Sequence, residues 1–183
     1  CHSWKARLKV MAWEVEHLNK FLKRAANEIT VSKYVRNWIG RTDWDYAMSQ
    51  MLSPGSRYFH CEELMRGDFD GATWQYHYDG HTLNLQSAIS CDWYKGVDVV
   101  LKTAAILKEQ GVDIVWRVYG WNREGNKILE TFIRKTGIQP ESVGVRFMGS
   151  VNAGTIKQGL LDCDIYVHPA YIENSSNAIA EAQ

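Results

Sequence analysis

Residues 164–183 read DIYVHPAYIENSSNAIAEAQ, in which a short apolar run is followed by polar residues and then by helix formers. The run Ile165–Val167 predicts a buried strand, and Pro169 must end it because proline has no N–H to give to a neighbouring strand. Asn-Ser-Ser-Asn at 174–177 offers short side chains that accept bonds from the free N–H groups of a helix. The good helix formers at 178–183 complete a predicted strand, loop and helix.

Two glutamates in this stretch are separated by seven residues. Glu173 stands just before the predicted helix, and Glu181 lies inside it. Unpaired N–H groups and the positive end of the helix dipole would lie beside Glu173, which is a natural seat for a phosphate. The stretch therefore favours the binding of a sugar that is joined to a diphosphate.

Strand-like and helical runs alternate from Leu83 onward, which is typical of a parallel sheet flanked by helices. Gly111 and Gly137 follow two helical runs, and Asn152 precedes another as a cap. The predicted fold class is therefore α/β. The predicted strands are Leu83–Ile89, Ile114–Tyr119, Val143–Phe147 and Ile165–Val167, and the predicted helices are Val97–Gln110, Glu124–Thr136, Ala153–Leu161 and Asn177–Gln183.

This pattern resembles the retaining, nucleotide-sugar-dependent glycosyltransferases of the GT-B type, known as group 1 or family 4, which have two Rossmann-like domains. The resemblance covers roughly the last hundred residues. It implies the Rossmann-like donor-binding domain of an enzyme of polysaccharide biosynthesis. The features that carry it are Lys95-Gly96 before a helix, the strand at 114–119 closed by Gly120, the run Val145–Gly149, and the E-x7-E pair Glu173 and Glu181 after Pro169.

The resemblance also implies roles for individual residues. Glu173 would lie beside the transferred sugar as the catalytic residue, Lys95 would contact the diphosphate, and Glu181 would hold the ribose hydroxyls. The family uses no bound metal, and no cofactor is expected beyond the nucleotide diphosphate sugar itself. The expected donor-binding residues are Lys95, Gly96, Gly120, Gly149, Asn174, Ser175, Ser176, Asn177 and Glu181, with His168 and Ser90 as further candidates.

The chain also departs from the family pattern. Many relatives carry an arginine about five residues before the lysine, where this chain has Ser90 and Cys91. The usual Gly-Phe-Gly after the first glutamate is Asn-Ser-Ser here, and the glycine-rich turn after the second strand is Gly120-Trp121-Asn122. The donor and acceptor identities therefore do not carry over.

We expect residues 1–66 to be a remnant of the acceptor-binding domain, 67–82 an inter-domain linker, and 83–183 the donor domain, truncated after Glu181. The Gly and Asp residues of 67–82 disfavour regular structure. In the first part, a strand is predicted at 34–39 and a short helix capped by Thr42 or Asp43. The chain begins at Cys1 without Met, and this piece alone is expected to bind the donor without catalysis.

Composition excludes other classes of protein. The 21 Lys and Arg balance 21 Asp and Glu, so no nucleic-acid partner is expected. Four scattered cysteines favour a reducing cytoplasm, and there is no run of membrane-spanning length and no signal peptide. His77 and His81 lie four residues apart but lack further ligands, so no metal site is expected.

An amphipathic helix is predicted before residue 25, because apolar residues recur every three or four positions. Residues 1–33 hold seven Lys or Arg against three Glu. The helix would hide its apolar stripe on residues 34–70 or in a homodimer, and its basic face, residues 4–24, would meet the inner face of a membrane near lipid-linked acceptors. The stripe consists of Trp4, Leu8, Met11, Val15, Leu18 and Leu22.

Two functions are open at this point. The first is the donor-binding half of an enzyme that transfers a sugar from a nucleotide diphosphate to a hydroxyl acceptor, a carbohydrate or a lipid-linked molecule, with retention. The second is a non-catalytic, Rossmann-like nucleotide-binding or regulatory module that kept the site and lost turnover. Sugar transfer would separate the two.

Overall fold

The computed structural model describes residues 4, 8, 11, 12, 15–20, 22–24, 26, 34–61, 65–76, 78–90, 92–173 and 176–183. Its contacts group the chain into two units, Cys1–Glu63 and Leu64–Gln183. The stretch 67–82 lies in the second unit, where Gly67–Phe69 forms one 3-10 turn. None of the helices in the described ranges is long and apolar enough to cross a membrane.

The first unit contains two short parallel strands and a helix between them. Strand β1 spans Asn37–Gly40, helix α1 spans Asp43–Leu52, and strand β2 spans Arg57–His60 and pairs with β1. Thr42 caps α1 because its hydroxyl accepts from the Asp45 N–H while the Asp45 carboxylate accepts from the Thr42 N–H. The capping prediction is confirmed, whereas β2 is not predicted, since it is mostly exposed and shows no alternation.

The residues described between 4 and 26 are helical, as the apolar repeat predicts. The stripe is exposed along its whole length, from 50% at Leu8 to 68% at Trp4. The expectation that the stripe packs on residues 34–70 of the same chain is therefore wrong for this structure. Pairing with a second copy is the alternative that stays a prediction.

The second unit has the α/β fold that the alternation predicts, with a four-stranded parallel sheet flanked by helices. The strand order is β5-β4-β3-β6, so the carboxyl ends of all four strands meet at one edge. The elements in chain order are β3 Thr82–Ala88, α2 Val97–Glu109, β4 Asp113–Tyr119, α3 Lys127–Thr136, β5 Val145–Gly149, α4 Ala153–Asp162, β6 Ile165–Tyr166 and α5 Asn177–Ala182.

The core of this unit lies between α2 and the sheet. The buried face of α2 is fully inaccessible to water, and each large side chain on it contributes roughly 1.5–3 kcal/mol by its burial. Two polar side chains of the core are hydrogen-bonded in series: the Trp116 indole N–H donates to the Ser87 hydroxyl at 3.0 Å, and that hydroxyl donates to the Val167 carbonyl at 2.7 Å. The α2 face consists of Val97, Val100, Leu101 and Ala104.

Most turn residues act as predicted. Gly111 and Gly137 have left-handed φ angles of 78° and 72°, and Asn152 caps α4 by accepting from the Thr155 N–H at 2.9 Å. Helix α3 begins at Lys127 instead of Glu124 because Asn126 is its cap. Strand β5 likewise begins at Val145 instead of Val143, since Pro140–Val143 forms a 3-10 turn.

Candidate functional site

A groove of about 540 Å³ opens where β3, β4 and β5 end. In open α/β sheets, ligands bind at the carboxyl ends of the strands, so this position is where a site is expected. Four of the predicted site residues line the groove, namely Ser90, Gly120, Asn177 and Glu181. Arg66 also lines it, and the sequence leaves open whether Arg66 is functional or holds the stretch 67–82 against its neighbours.

Glu173 is bonded to two other predicted site residues. The Lys95 Nζ donates to Glu173 Oε2 at 2.6 Å, and the His168 Nε2 lies 3.1 Å from the same oxygen. The side chains of Lys95, His168 and Glu173 are only 15%, 13% and 26% exposed. The hydrogen bond from Lys95 lowers the pKa of Glu173 by more than burial raises it. Glu173 is therefore a carboxylate at neutral pH.

His168 has one ring nitrogen that the protein does not satisfy. Its Nε2 bonds Glu173, while its Nδ1 is buried and has no hydrogen-bond partner among the described residues. In a neutral imidazole, a donating Nε2–H leaves Nδ1 as an acceptor. Buried polar atoms without a partner are uncommon, and they mark places where a ligand or water supplies the missing bond.

Two backbone contacts bring Lys95 next to Glu173, although 78 positions separate them in the chain. The Tyr171 N–H donates to the Tyr94 carbonyl at 2.9 Å. Gly96, with a left-handed φ of 74°, packs so closely on Pro169 that a β-carbon there would overlap the Pro169 carbonyl oxygen. The turn that carries Lys95 and the loop that follows β6 are thus fixed against each other.

Glu181 forms an ion pair with Arg66. The Arg66 Nε and Nη2 lie 2.8 Å and 2.6 Å from Glu181 Oε1. The side chain of Glu181 is 7% exposed and that of Arg66 is 51% exposed. The guanidinium carbon of Arg66 also lies 5.0 Å from the centroid of the Phe69 ring. The pairing of Arg66 with Glu181 could not be foreseen from the sequence, because a pair 115 positions apart leaves no local pattern.

The glycines expected at the site are explained by packing within the protein. Gly120 has a φ of 93°, and a β-carbon on it would overlap the Ile89 carbonyl oxygen. A β-carbon on Gly149 would lie 2.6 Å from the Asn122 Oδ1. The backbone contact at Gly120 requires glycine without any ligand, whereas the Asn122 side chain can move and Gly149 is favoured by its left-handed φ of 74°. Contact of the glycines with a donor stays a prediction.

Among the described residues, Ser90 and Ser176 make no contact that assigns them a role. The Ser90 hydroxyl donates to Asp92 at 2.9 Å. Ser176 is the N-cap of α5, but its side chain makes no capping bond. Asn174 and Ser175 lie outside the described residues. In the part of the chain that the structure describes, no three His, Cys, Asp or Glu side chains are grouped to hold a metal ion.

Comparison with known proteins supports this fold and this family. Residues 88–183 match the family model "Glycosyl transferases group 1". A mutant of S. aureus TarM, solved in complex with fondaparinux, alpha-GlcNAc-glycerol and UDP, matches 87% of this chain and 30% of that chain, with 14% identity and a TM-score of 0.63. A search of curated proteins gave no match.

A second solved structure has the same fold. Sucrose-phosphate synthase from Thermosynechococcus elongatus matches 87% of this chain and 41% of that chain, with 12% identity and a TM-score of 0.66. This chain thus spans well under two thirds of the length of both proteins. Identities this low establish the fold alone, while the family match covers more than half of the 183 residues. The chain therefore belongs to the group 1 glycosyltransferases.

Proposed function

We propose that a nucleoside diphosphate sugar binds to the groove and to the cluster of Lys95, His168 and Glu173, which is not part of the groove lining, and that Glu173 acts in the transfer of this sugar, with retention, to a hydroxyl acceptor. The contact between Lys95 and Glu173 carries the proposal. The sugar and the diphosphate of such a donor are covalently joined, so a site for it needs a cation and a sugar-binding acceptor side by side. Lys95 supplies the cation and Glu173 the acceptor.

The chemistry of these residues is electrostatic. When the bond between the sugar and the diphosphate breaks, negative charge builds on the departing phosphate, and the Lys95 ammonium stabilises it. Glu173 accepts hydrogen bonds from the sugar hydroxyls and stabilises positive charge on the reacting carbon. The backbone N–H groups at 176–177, at the start of α5, contribute to the phosphate site. Glu181 accepts bonds from the ribose hydroxyls.

UDP is the first donor nucleotide to test, because the S. aureus TarM structure holds UDP. The acceptor is a carbohydrate or a lipid-linked molecule under this proposal. In this mechanism, Lys95 and the start of α5 neutralise the charge of the leaving diphosphate.

Calorimetry on the chain with UDP, GDP, ADP and dTDP is expected to show saturable binding of at least one of them. Replacement of Lys95 by alanine should weaken that binding by at least tenfold, because a charged hydrogen bond contributes about 1.5–3 kcal/mol. Lys135→Ala, which removes an exposed lysine on α3, is the matched control and should leave the affinity unchanged.

The result also separates the two functions. If none of the four nucleotides binds to protein that is shown to be folded, the proposal is wrong. If one binds, but the longest polypeptide that contains this sequence transfers no sugar to any acceptor in a cell extract, the chain is a nucleotide-binding module.

The exposed apolar stripe of the amino-terminal helix is proposed to pair with a second copy of the chain. Burial of a large apolar side chain stabilises by roughly 1.5–3 kcal/mol, and Trp4, Leu8 and Leu18 are all at least half exposed in one copy. Sedimentation should therefore shift to a dimer as concentration rises. Leu18→Glu should abolish this shift to a dimer, whereas Lys23→Glu, on another face of the helix, should not. A monomer at every concentration would contradict this proposal.

The same helix is proposed to contact the inner face of a membrane from the cytoplasm. One of its lysines, Lys20, is paired with Glu16 at 2.6 Å, which reduces the charge available for lipid. In the same preparations, binding to anionic vesicles but not to neutral ones would support membrane contact. Equal binding to anionic and neutral vesicles would exclude a contact made through the basic face.

A further inference from the structure

Arg66 is the only cationic side chain among the described residues that line the groove. The other charged side chain there is Glu181, with which Arg66 is paired. A nucleoside diphosphate brings at least two negative charges into the groove. Lys95, which is proposed to contact the diphosphate, does not line this groove, so within the groove lining the Arg66 guanidinium is the group that can receive the anion.

The pair with Glu181 uses only part of the hydrogen-bonding capacity of Arg66. Both contacts, from Nε and Nη2, go to the single oxygen Oε1 of Glu181. A guanidinium has five N–H donors in a fixed plane, so donors remain for a second acceptor. The side chain of Arg66 is 51% exposed, in contrast to 7% for Glu181. The unused donors are thus open to a ligand.

The position of the guanidinium is also fixed in advance. Glu181 holds it from one side, and the Phe69 ring lies 5.0 Å from its central carbon. A planar guanidinium that is already oriented binds phosphate oxygens with little further loss of side-chain entropy.

We propose that Arg66 is a phosphate-binding residue of this groove, held by Glu181 and the Phe69 ring so that its remaining N–H groups donate to the diphosphate. This inference rests on the proposed function, because it takes a nucleoside diphosphate as the ligand. It adds to the site a residue that lies neither at the carboxyl end of a sheet strand nor at the start of α5. It also gives Glu181 a second task, the orientation of Arg66.

The test compares ligands with and without phosphate on the whole chain. Calorimetry uses the tightest-binding diphosphate among UDP, GDP, ADP and dTDP, together with its nucleoside. Arg66→Ala should weaken the diphosphate roughly 10- to 100-fold and the nucleoside less than threefold. Arg66→Lys, which keeps the charge but not the planar fork, should give an intermediate loss. Arg134→Ala on the exposed face of α3 is the matched control and should change neither affinity.

A double variant separates direct contact from an action through Glu181. If Arg66 only positions Glu181, then Arg66→Ala should weaken the diphosphate and the nucleoside equally, and it should have no effect once Glu181→Ala is present. Either result overturns the proposal. A persistent loss of diphosphate binding in the Glu181→Ala background supports it.

The test distinguishes a failure of the Arg66 inference from a failure of the proposed function. If the unaltered chain binds no diphosphate, both ideas fail together. If it binds a diphosphate and Arg66→Ala binds it equally well, only the Arg66 proposal fails. Where Arg66→Ala does not fold, as judged by circular dichroism, Arg66→Gln gives the same comparison, because it keeps a longer polar side chain without the charge.

Discussion

Replacement of Glu173 by glutamine is expected to slow sugar transfer by about 10²- to 10³-fold, the loss typical of one electrostatic contact to a transition state. Nucleoside diphosphate binding should be unchanged or tighter. The reason lies in the contact at 2.6 Å between Lys95 and Glu173. Without the carboxylate, the ammonium loses its anionic partner and is more available to phosphate, while the reacting sugar loses its stabilising charge.

The measurement pairs two experiments on the same preparations. Turnover is followed in the longest polypeptide that contains this sequence, and nucleotide affinity is measured by calorimetry. Glu181→Gln is the control with the opposite expectation: about 10-fold or more weaker binding through the lost ribose contacts, with little change in turnover at saturating donor. Equal losses of turnover for both variants would remove the special role proposed for Glu173.

The order of elements in the second unit is predictable from the chain because each boundary depends on nearby residues. The apolar runs of β3, β4 and β6 and the helical periodicity of α2 are visible in the sequence. The start of α3 differs from the predicted Glu124 because Asn126 caps the helix by accepting from the Ile128 and Leu129 N–H groups. Strand β2 is not predictable, since it is stabilised by pairing with β1 and not by any hydrophobic pattern.

The same distinction between local signals and long-range contacts applies to the residues of the site. Lys95 and Glu173 are both flanked by recognisable local signals, and the parallel sheet necessarily brings the ends of β3 and β6 together. The pair of Arg66 and Glu181 depends on the path of an irregular segment, for which no periodicity exists. The sequence also cannot show whether a glycine is required by a ligand or by the protein. At Gly96 and Gly120 the backbone of the protein itself requires it.

Gly96→Ala is expected to destabilise the second unit by about 2–5 kcal/mol. A left-handed φ costs an L-residue roughly 1–2 kcal/mol, and forced overpacking adds about 1–3 kcal/mol. The φ of Gly96 is 74°, and the new methyl group would overlap the Pro169 carbonyl, a backbone group that cannot rotate away as a side chain can. Either the turn at Lys95 or the loop after β6 must therefore move.

Gly111→Ala is the matched control, because Gly111 has nearly the same φ, 78°, but no atom within 4 Å of the position of a β-carbon. It should cost only the conformational part, roughly 1–2 kcal/mol. The free energy of unfolding is measured by urea denaturation, followed by the fluorescence of the buried Trp116 and Trp121. In Gly96→Ala, the shift of the turn at Lys95 or of the loop after β6 would also separate Lys95 from Glu173. Gly96→Ala should therefore weaken nucleotide binding at temperatures where the protein is still folded, whereas Gly111→Ala should not. Equal destabilisation by the two variants would mean that the contact with Pro169 does not constrain the site.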